Sequence, residues 1–562
     1  MSRYFKRHRG RLAIWMLMEF LVALAMVWWS FFMKGLSDTA FGGQGLEGIK
    51  NLLLLGLLFL FFFLPVQYST FRCRASFLRA CNASLKEDLF NRIIHYDINT
   101  FSSSNSAKYI SLLNNDVTFI DQNYFRIVPE IVSYLIQFVV ATITMFYFNV
   151  WLALITLAVS IIPIVPTLRF GGRASDGQKD YMNALDHLNA EIKDMFTGFE
   201  VVKSFHAEDK ILEKFKKAVQ SAESANFRIR NEQGKSISAG YTLGYLGSIV
   251  QLVFSVFLVI RGDITMGVLM GTMQISNFVS NPARNAVSDY LVCRTVRPVA
   301  ERILAVLDGK DIETIQDSPS ESCEISSAGT IQVEELAFSY QKDQEILHDL
   351  NYQFCPGKKY AVVGGSGSGK TTFIRLLMGY YSNYRGTVQY NGISLSQIDR
   401  TSLYRHVAMI HQKVFLFEDT IRNNITMFQP YSEEQVWQAV RDAGLTEVVQ
   451  RMGGLDAMVD ENGHNLSGGE QQRVSIARAF IRGTDVMLVD EATASLDPQT
   501  AHQIHQTLLR KEGLTLIAVT HQTDEALMRD YDEVLVLEAG ILLEHGPYDS
   551  LSPQQKRLMK LR

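Results

Sequence analysis

Two segments in the C-terminal half of the chain combine the residue types that phosphate chemistry needs. The first, "KYAVVGGSGSGKTTFIRLL" (359–377), has an apolar run, a glycine-rich loop and a helical stretch, and it matches G-x-x-x-x-G-K-[ST]. We expect nine residues to wrap the phosphates of a nucleotide: Gly364, Gly365, Ser366, Gly367, Ser368, Gly369, Lys370, Thr371 and Thr372. Lys370 would neutralise the β and γ phosphates, and Thr371 would bind Mg²⁺.

The second segment, "DVMLVDEA" (485–492), supplies acidic groups at the end of a buried strand. Four apolar residues bury the strand, Asp490 emerges to hold Mg²⁺, and Glu491 follows as the candidate general base for water. A further strand, "LTLIAVTH" (514–521), ends in His521, which we expect to contact the γ-phosphate at the same edge of the sheet.

A third segment, "LSGGEQQR" (466–473), has the composition of a helix start that holds an anion. Ser467 occupies a capping position, Gly468 and Gly469 follow, and a helical run begins there, so backbone N–H groups and the helix dipole favour a phosphate. The chain therefore has two predicted phosphate sites about a hundred residues apart.

Residues 329–562, which contain these segments, alternate short apolar strands with helical stretches, as in an α/β fold. Residues 306–328 carry six acidic residues against one lysine and no hydrophobic period, which predicts a linker. The N-terminal residues 1–305 differ sharply, since "LLLLGLLFLFFFL" (52–64) contains no polar side chain.

Six apolar stretches are long enough to cross a bilayer, which takes about 20 apolar residues per helix. They lie near 12–33, 49–68, 129–148, 151–168, 241–260 and 264–283. The last is the weakest, because Gln274, Asn277 and Asn281 interrupt it. Basic residues precede the first stretch and follow the second, fourth and sixth, so we predict six spans with both termini in the cytoplasm. The first stretch is too long for a signal peptide.

The two long cytoplasmic connections are predicted to be helical. Neither glycine nor proline occurs from Ser69 to Val128, and no proline occurs between Pro166 and Pro282. Because helix breakers are missing, we expect the spans to continue into the cytoplasm before they turn back near 108–120 and 196–205. Glu19 lies inside the first span, where a carboxylate is either functional or a hydrogen-bonding group of the helix bundle.

Composition excludes some classes of partner. The formal charge of this 562-residue chain is only −4, and no basic block predicts nucleic-acid binding. All five cysteines map to the cytoplasmic side without metal-ligand spacing, so we expect free thiols. The first span begins within about a dozen residues of Met1, so we expect no peptide-processing domain ahead of it.

The segment "LSGGEQQR", placed between the two other phosphate motifs, resembles the signature of the ABC transporter ATPases. That resemblance implies that Tyr340 stacks on adenine, that Gln412 contacts Mg²⁺, and that Asp497 of "ASLD" (494–497) also lies at the nucleotide. It extends over the whole chain, since six spans followed by one ATPase match an exporter-type half-transporter. It also implies coupling helices at 105–116 and 196–205.

In that family, two ATPase domains stack head to tail, and each ATP lies between the P-loop of one chain and the signature of the other. The resemblance therefore implies a second subunit, in a homodimer or a heterodimer. Ala107, His411 and Gln522 depart from the usual family pattern, and none of them removes a reacting group.

The sequence thus predicts a multidomain membrane protein, with an all-α six-helix transmembrane domain followed by an α/β P-loop ATPase domain. We expect an ATP-driven exporter of a drug, a lipid or a peptide in a bacterial cell membrane, with the N-terminus and the ATPase domain in the cytoplasm. An importer built on the same fold remains an alternative, and an ATP-gated channel or regulator is a weaker one. The spans exclude a cytosolic ABC ATPase of the repair type.

Overall fold

The computed structural model describes residues 1–41, 45–96, 98–103, 106–309, 323–341, 344–492, 496–520 and 524–560. The chain divides into two compact units. The N-terminal unit comprises Met1–Tyr96 and Ser104–Asp311, and the C-terminal unit comprises Asp97–Ser103 and Ile312–Arg562.

Apart from α4, which belongs to the C-terminal unit, the helices before residue 310 belong to the N-terminal unit. They are α1 (Ser2–Arg7), α2 (Arg9–Phe41), α3 (Gly45–Ile94), α4 (Ile98–Ser103), α5 (Ser106–Ser111), α6 (Val117–Ile120), α7 (Ile127–Phe148), α8 (Val150–Ile161), α9 (Ile164–Thr197), α10 (Phe199–Ser204), α11 (Glu208–Ile260), α12 (Met266–Thr295) and α13 (Arg297–Asp308). Two π-helical turns, Leu112–Asp116 and Asp121–Phe125, flank α6.

Five helical segments of the described chain are long and apolar enough to cross a membrane. They are Arg9–Phe41, Lys50–Ile94, Lys108–Phe148, Val150–Phe170 and Glu208–Ile260. Four of them, of 33 to 53 residues, run well beyond the roughly 20 residues that a bilayer requires, as the scarcity of helix breakers indicated. The predicted sixth span lies within α12, which packs against α2 and α7 but is not among these five; as a span it stays a prediction.

Two glycines of α12 allow a close approach to α2. A Cβ atom at Gly267 would overlap the Asp38 carboxylate and would lie 2.5 Å from the carbonyl oxygen of Lys34. A Cβ atom at Gly271 would lie 3.1 Å from the carbonyl oxygen of Ser30. Polar contacts use this proximity, since the Gly267 N–H donates to Asp38 Oδ1 (3.1 Å) and Ser30 Oγ donates to the Gly271 carbonyl (2.6 Å).

The described residues of the C-terminal unit form an α/β domain with twelve strands. They are β1 (Ile331–Gln341), β2 (Gln344–Phe354), β3 (Lys359–Val363), β4 (Tyr384–Tyr390), β5 (Ile393–Ser394), β6 (Val407–Ile410), β7 (Asp419–Thr420), β8 (Met458–Val459), β9 (Val486–Asp490), β10 (Thr515–Val519), β11 (Glu533–Glu538) and β12 (Ile541–Gly546). Its later helices are α14 (Lys370–Leu377), α15 (Arg400–His406), α16 (Ile421–Thr426), α17 (Glu433–Asp442), α18 (Thr446–Met452), α19 (Gly468–Phe480), α20 (Pro498–Arg510), α21 (Glu525–Arg529) and α22 (Pro553–Lys560).

The central sheet of this unit has the strand order β12-β11-β3-β10-β9-β6, and its strands are parallel except for the edge strand β12. Every residue of β3, β9 and β10 is buried, as expected for strands that are covered on both faces. A four-stranded antiparallel sheet, β2-β1-β4-β5, completes the domain together with the short pair β7-β8. The predicted fold class, a helical membrane region followed by an α/β P-loop domain, is confirmed.

Part of the predicted linker packs onto the C-terminal unit. Ile325 and Ala328 are buried in its core, and the carbonyl oxygen of Cys323 accepts a hydrogen bond from the Asp399 N–H (3.0 Å). Residues 310–322, the middle of the predicted linker, lie outside the described residues.

We predict that Gly267→Ala destabilises the membrane region, because the added methyl group meets Asp38 and the backbone of α2. Overpacking of this kind costs about 1–3 kcal/mol, which corresponds to a fall of several degrees in the thermal midpoint measured in detergent. Gly244→Ala in α11 is the matched control, since a Cβ atom there meets no atom within 4 Å and alanine favours the helix. Equal midpoints for the two variants would contradict this packing.

Candidate functional site

The loop between β3 and α14 has the backbone geometry of a phosphate cradle. Gly367 and Gly369 have φ angles of +77° and +96°, in the left-handed region that favours glycine. At Gly364 a Cβ atom would overlap the carbonyl oxygen of Leu537, so only glycine fits between the loop and β11. The loop and the start of α14 therefore expose successive backbone N–H groups to an anion.

Lys370, the first residue of α14, is held within this loop. Its side chain is almost fully buried, and Nζ donates to the carbonyl oxygens of Gly364 and Gly365, at 2.9 Å each. These bonds place a cationic group at the concave face of the loop, where it can neutralise bound phosphate.

Asp490 lies at the carboxyl end of β9 and joins the loop directly. Thr371 Oγ1 donates to Asp490 Oδ1 at 2.8 Å. Asp490 Oδ2 and Ser368 Oγ are both buried, and neither has a hydrogen-bond partner among the described residues. Burial raises the pKa of Asp490 above its ordinary value, while the Thr371 hydrogen bond and Arg375 oppose the shift.

These observations fit a divalent cation between Thr371 and Asp490. A buried carboxylate oxygen without a partner is an energetic cost that a bound cation removes. Oxygen ligands from a hydroxyl and a carboxylate, completed by phosphate oxygens, are those that Mg²⁺ prefers. The residues predicted for Mg²⁺ are therefore chemically suited to it.

Glu491 follows Asp490 and meets the predicted Gln412. Gln412 Nε2 donates to Glu491 Oε2 at 2.7 Å, and the Glu491 N–H donates to the carbonyl oxygen of Val519 at 3.1 Å. Glu491 has a φ of +51°, a sparsely populated conformation that occurs in functional sites. The amide nitrogen of Gln412 donates this hydrogen bond to Glu491. The amide oxygen of Gln412, Oε1, is therefore the atom that could bind a cation.

Tyr340 lies at the end of β1, where it forms an aromatic platform. Its ring packs edge-on against Phe338 and Tyr381, with centroid distances of 5.0 and 5.4 Å, and about half of its surface is exposed. Its hydroxyl forms a hydrogen bond with Thr372 Oγ1 (3.0 Å), which fixes the ring beside the phosphate loop. This geometry suits stacking on a planar base.

The segment "LSGGEQQR" forms the start of α19. Ser467 is the N-cap: its hydroxyl accepts from the Glu470 N–H (3.4 Å), and Glu470 Oε2 accepts from the Ser467 N–H (2.9 Å). Arg451 binds Glu470 at 2.8 Å and holds the pKa of Glu470 below its ordinary value. Gly468 faces open space, because a Cβ atom there meets nothing within 4 Å.

The structure brings some of the predicted site residues together and leaves others apart. Within the described chain, no hydrogen bond joins residues 467–469 to the loop 364–372. Asp497 is the N-cap of α20, and its Oδ1 accepts from the Thr500 N–H (2.9 Å). His521, Gln522 and positions 494–495 of "ASLD" lie outside the described residues.

Sequence reasoning missed Arg375, which lies one turn after Thr371 on α14. Its guanidinium interacts electrostatically with Tyr381 of the predicted adenine platform and with Asp490 of the predicted cation site. The i,i+4 spacing from Thr371 was the signal available, because it places both side chains on one helix face.

Comparison with known proteins gives one consistent result. The pattern described as ABC transporter transmembrane region matches residues 12–283, and the pattern described as ABC transporter matches residues 347–494. A fatty acid ABC transporter ATP-binding/permease protein of Mycobacterium tuberculosis is 26% identical over 472 residues, which cover 83% of this chain and 74% of that protein. An ATP-dependent lipid A-core flippase of Vibrio cholerae is 26% identical over 480 residues, which cover 84% and 81%.

A solved structure, that of a bacterial Atm1-family ABC exporter with ATP bound, has the same fold. The TM-score is 0.85 at 22% identity, and the match covers 100% of this chain and 99% of that one. A membrane region and an ABC ATPase domain thus occur in one chain. This protein belongs to the ABC transporters, and its arrangement is that of an exporter half-transporter.

Two serine caps of the ATPase domain provide a matched test of the signature. Ser467 caps α19 and Ser432 caps α17, each in a complete capping box. We predict that Ser467→Ala and Ser432→Ala each lower the stability of the domain by about 1 kcal/mol. Only Ser467→Ala should also lower ATP hydrolysis, by about tenfold, because only Ser467 belongs to a predicted phosphate site. ATPase rates measured beside chemical unfolding curves separate the two effects, and equal rates would remove Ser467 from the site.

Proposed function

We propose that this protein is an ATP-hydrolysing exporter that acts as a dimer of two such chains. One observation carries the proposal: Lys370 is held in the loop after β3 and Thr371 binds Asp490 beside it, while the start of α19 has an open face at Gly468. We assign the first group to phosphate and a cation, and the second to another phosphate. Because no described hydrogen bond joins the two sites, they fit two different nucleotides better than one. A second chain would complete each site.

The proposed hydrolysis uses the residues in distinct roles. Lys370 neutralises charge that develops on the β and γ phosphates, and the backbone N–H groups of the loop orient them. Thr371, Asp490 and the Gln412 amide oxygen would hold Mg²⁺, which offsets the charge of the phosphate oxygens when bound. Glu491 accepts a proton from the attacking water. His521 and Asp497 complete the proposed nucleotide contacts.

Ser467, Gly468 and Gly469 would contact the γ-phosphate of the nucleotide on the other chain. Their backbone N–H groups at the start of a thirteen-residue helix stabilise negative charge. Binding of two ATP molecules would therefore join the two ATPase domains, and hydrolysis with phosphate loss would separate them. This cycle would switch the spans between inward- and outward-facing states.

Exposed aromatic side chains support a coupling role for the turn at 196–205. Phe196, Phe199 and Phe205 are 74%, 55% and 78% exposed. Apolar side chains of this size rarely remain in water without a partner, so this turn is suited to engage an ATPase domain in the dimer. The basic residues that flank the spans support a cytoplasmic N-terminus and ATPase domain in a bacterial inner membrane.

The proposed substrate is an amphiphile from the lipid, drug or peptide classes. The named relatives transport a fatty acid and a lipid A-core. The direction of transport is proposed from the exporter arrangement and is measured with substrate uptake into inside-out vesicles.

We predict that Glu491→Gln binds ATP but loses hydrolysis by about 100-fold or more, since general base catalysis contributes on that scale. Glutamine retains the size of the side chain and an oxygen that accepts the Gln412 hydrogen bond, so the local structure should persist. The variant should accumulate a closed, nucleotide-loaded dimer, detected by retained nucleotide after gel filtration. Glu512→Gln, an exposed loop position, is the control for loss of a carboxylate. Hydrolysis at the wild-type rate would exclude Glu491 as the base.

A mixed dimer tests whether the signature acts across the interface. Gly468→Asp places a carboxylate where the phosphate of the other nucleotide would lie, and its open surroundings tolerate the side chain. As a homodimer it should bind ATP at its own P-loop without hydrolysis, whereas the neutral isostere Gly468→Asn should be less impaired.

Lys370→Ala should weaken nucleotide binding and abolish hydrolysis.

A dimer of one Gly468→Asp chain and one Lys370→Ala chain is isolated with two affinity tags. If signatures act in trans, one site carries both lesions and the other carries neither, so hydrolysis persists at the intact site. If they act in cis, each site carries one lesion and the dimer is inactive. The control dimer pairs a wild-type chain with a chain that carries both substitutions. It should be inactive if signatures act in trans and active if they act in cis, so hydrolysis by this control dimer would refute the trans assignment.

A further inference from the structure

The N-terminal unit contains a cavity of about 1050 Å³ on the cytoplasmic side of the predicted spans. It lies between Phe119 of α6, the 178–186 part of α9 and the 291–305 part of α12 and α13. These segments begin about ten residues beyond the apolar stretches that end near 168 and 283. The cavity is therefore outside the hydrocarbon layer and accessible to water-soluble ligands. Its volume is at the upper end of the usual range for small-molecule sites.

The walls of this cavity carry charges of both signs, and two of the four charged lining residues are paired within the protein. Arg302 binds Asp116 at 3.0 Å, and Glu301 binds Arg297 at 2.8 Å. Two lining residues differ: the side chains of Arg294 and Asp186 form no ion pair and no hydrogen bond with any described residue. One unpaired cation from α12 and one unpaired anion from α9 thus face the same cavity.

The remaining lining is largely apolar. Leu291 and Val299 are buried, Phe119 is half-buried, and Met182 and Pro298 complete this part of the wall. Such a surface binds an apolar body, while a guanidinium prefers a carboxylate or phosphate and a carboxylate prefers an ammonium group.

We propose that this cavity is a cytoplasmic entry site for a small zwitterion with an apolar body, whose anionic group binds Arg294 and whose ammonium group binds Asp186. The assignment rests on the proposed transport function and specifies its substrate class. Two sources present this chemistry, a short apolar peptide with free termini and a zwitterionic lysolipid headgroup.

The experiment measures equilibrium binding to the purified dimer in nanodiscs by scintillation proximity. The probe is a radiolabelled apolar tripeptide in four forms: with free termini, N-acetylated, C-amidated, and blocked at both ends. We expect binding of the free form, and about three- to fivefold weaker binding for each blocked terminus, as exposed charge pairs contribute on that scale. Lysophosphatidylethanolamine competes in a parallel assay.

Variants assign each charge. Arg294→Gln should weaken the free and N-acetylated peptides but leave the C-amidated peptide unchanged, because that peptide has no anion to lose. Asp186→Asn should weaken the free and C-amidated peptides and leave the N-acetylated one unchanged. Arg230→Gln, an exposed arginine of α11 that does not line the cavity, is the matched control.

The outcomes separate this inference from the proposed function. If the lysolipid alone binds and Arg294→Gln weakens it, the zwitterion assignment holds and its source is the membrane. Equal binding of all four peptides, uniform loss in both variants, or no binding of any probe would overturn it. Basal ATP hydrolysis in the same nanodiscs reports the proposed function separately, so a hydrolysing protein that binds no probe refutes only the cavity assignment.

Discussion

The hydrogen bond from Thr371 Oγ1 to Asp490 Oδ1 is the contact on which the nucleotide site depends. It joins the start of α14, which follows β3, to the end of β9. In the sheet, β10 lies between β3 and β9. Because all three strands are parallel, their carboxyl ends meet at one edge, and the loop can deliver a hydroxyl to a buried carboxylate. The second oxygen of that carboxylate has no hydrogen-bond partner among the described residues, so the fold retains an acceptor that a cation can satisfy.

The sequence predicted this arrangement well where chemistry and local structure coincide. The P-loop needs glycine at positions with positive φ, which the sequence shows as a glycine-rich motif. The strand that ends at Asp490 is buried throughout, which the sequence shows as a run of apolar residues. For Arg375 the only local signal was its i,i+4 spacing from Thr371, and its interaction with Tyr381 depends on which side chains face each other after folding. The link between Gln412 and Glu491, 79 residues apart, is likewise a tertiary contact that no local pattern encodes.

In the N-terminal unit, composition predicted long helices but not their irregularities. The region 69–128 lacks glycine and proline, yet the helix that follows α5 changes to π-helical turns at Leu112–Asp116 and Asp121–Phe125. Asp116, at the end of the first turn, binds Arg302 of α13, so a tertiary ion pair accompanies the altered turn. Conversely, Pro282 lies inside α12 without ending it. Proline is tolerated within helices of a membrane bundle because neighbouring groups satisfy the backbone carbonyl that it leaves without a partner.

Two adjacent residues connect the two proposed anion sites of one chain. The carbonyl oxygen of His411 accepts from Gln472 Nε2 of α19 (3.3 Å), and the next residue, Gln412, donates to Glu491. His411 Nε2 also lies within hydrogen-bond distance of the Tyr380 hydroxyl (3.2 Å), and burial lowers the pKa of His411. In the proposed dimer, α19 contacts one nucleotide and Glu491 acts on the other. A shift of α19 toward its nucleotide would therefore pull on the segment that contacts Glu491, the proposed general base.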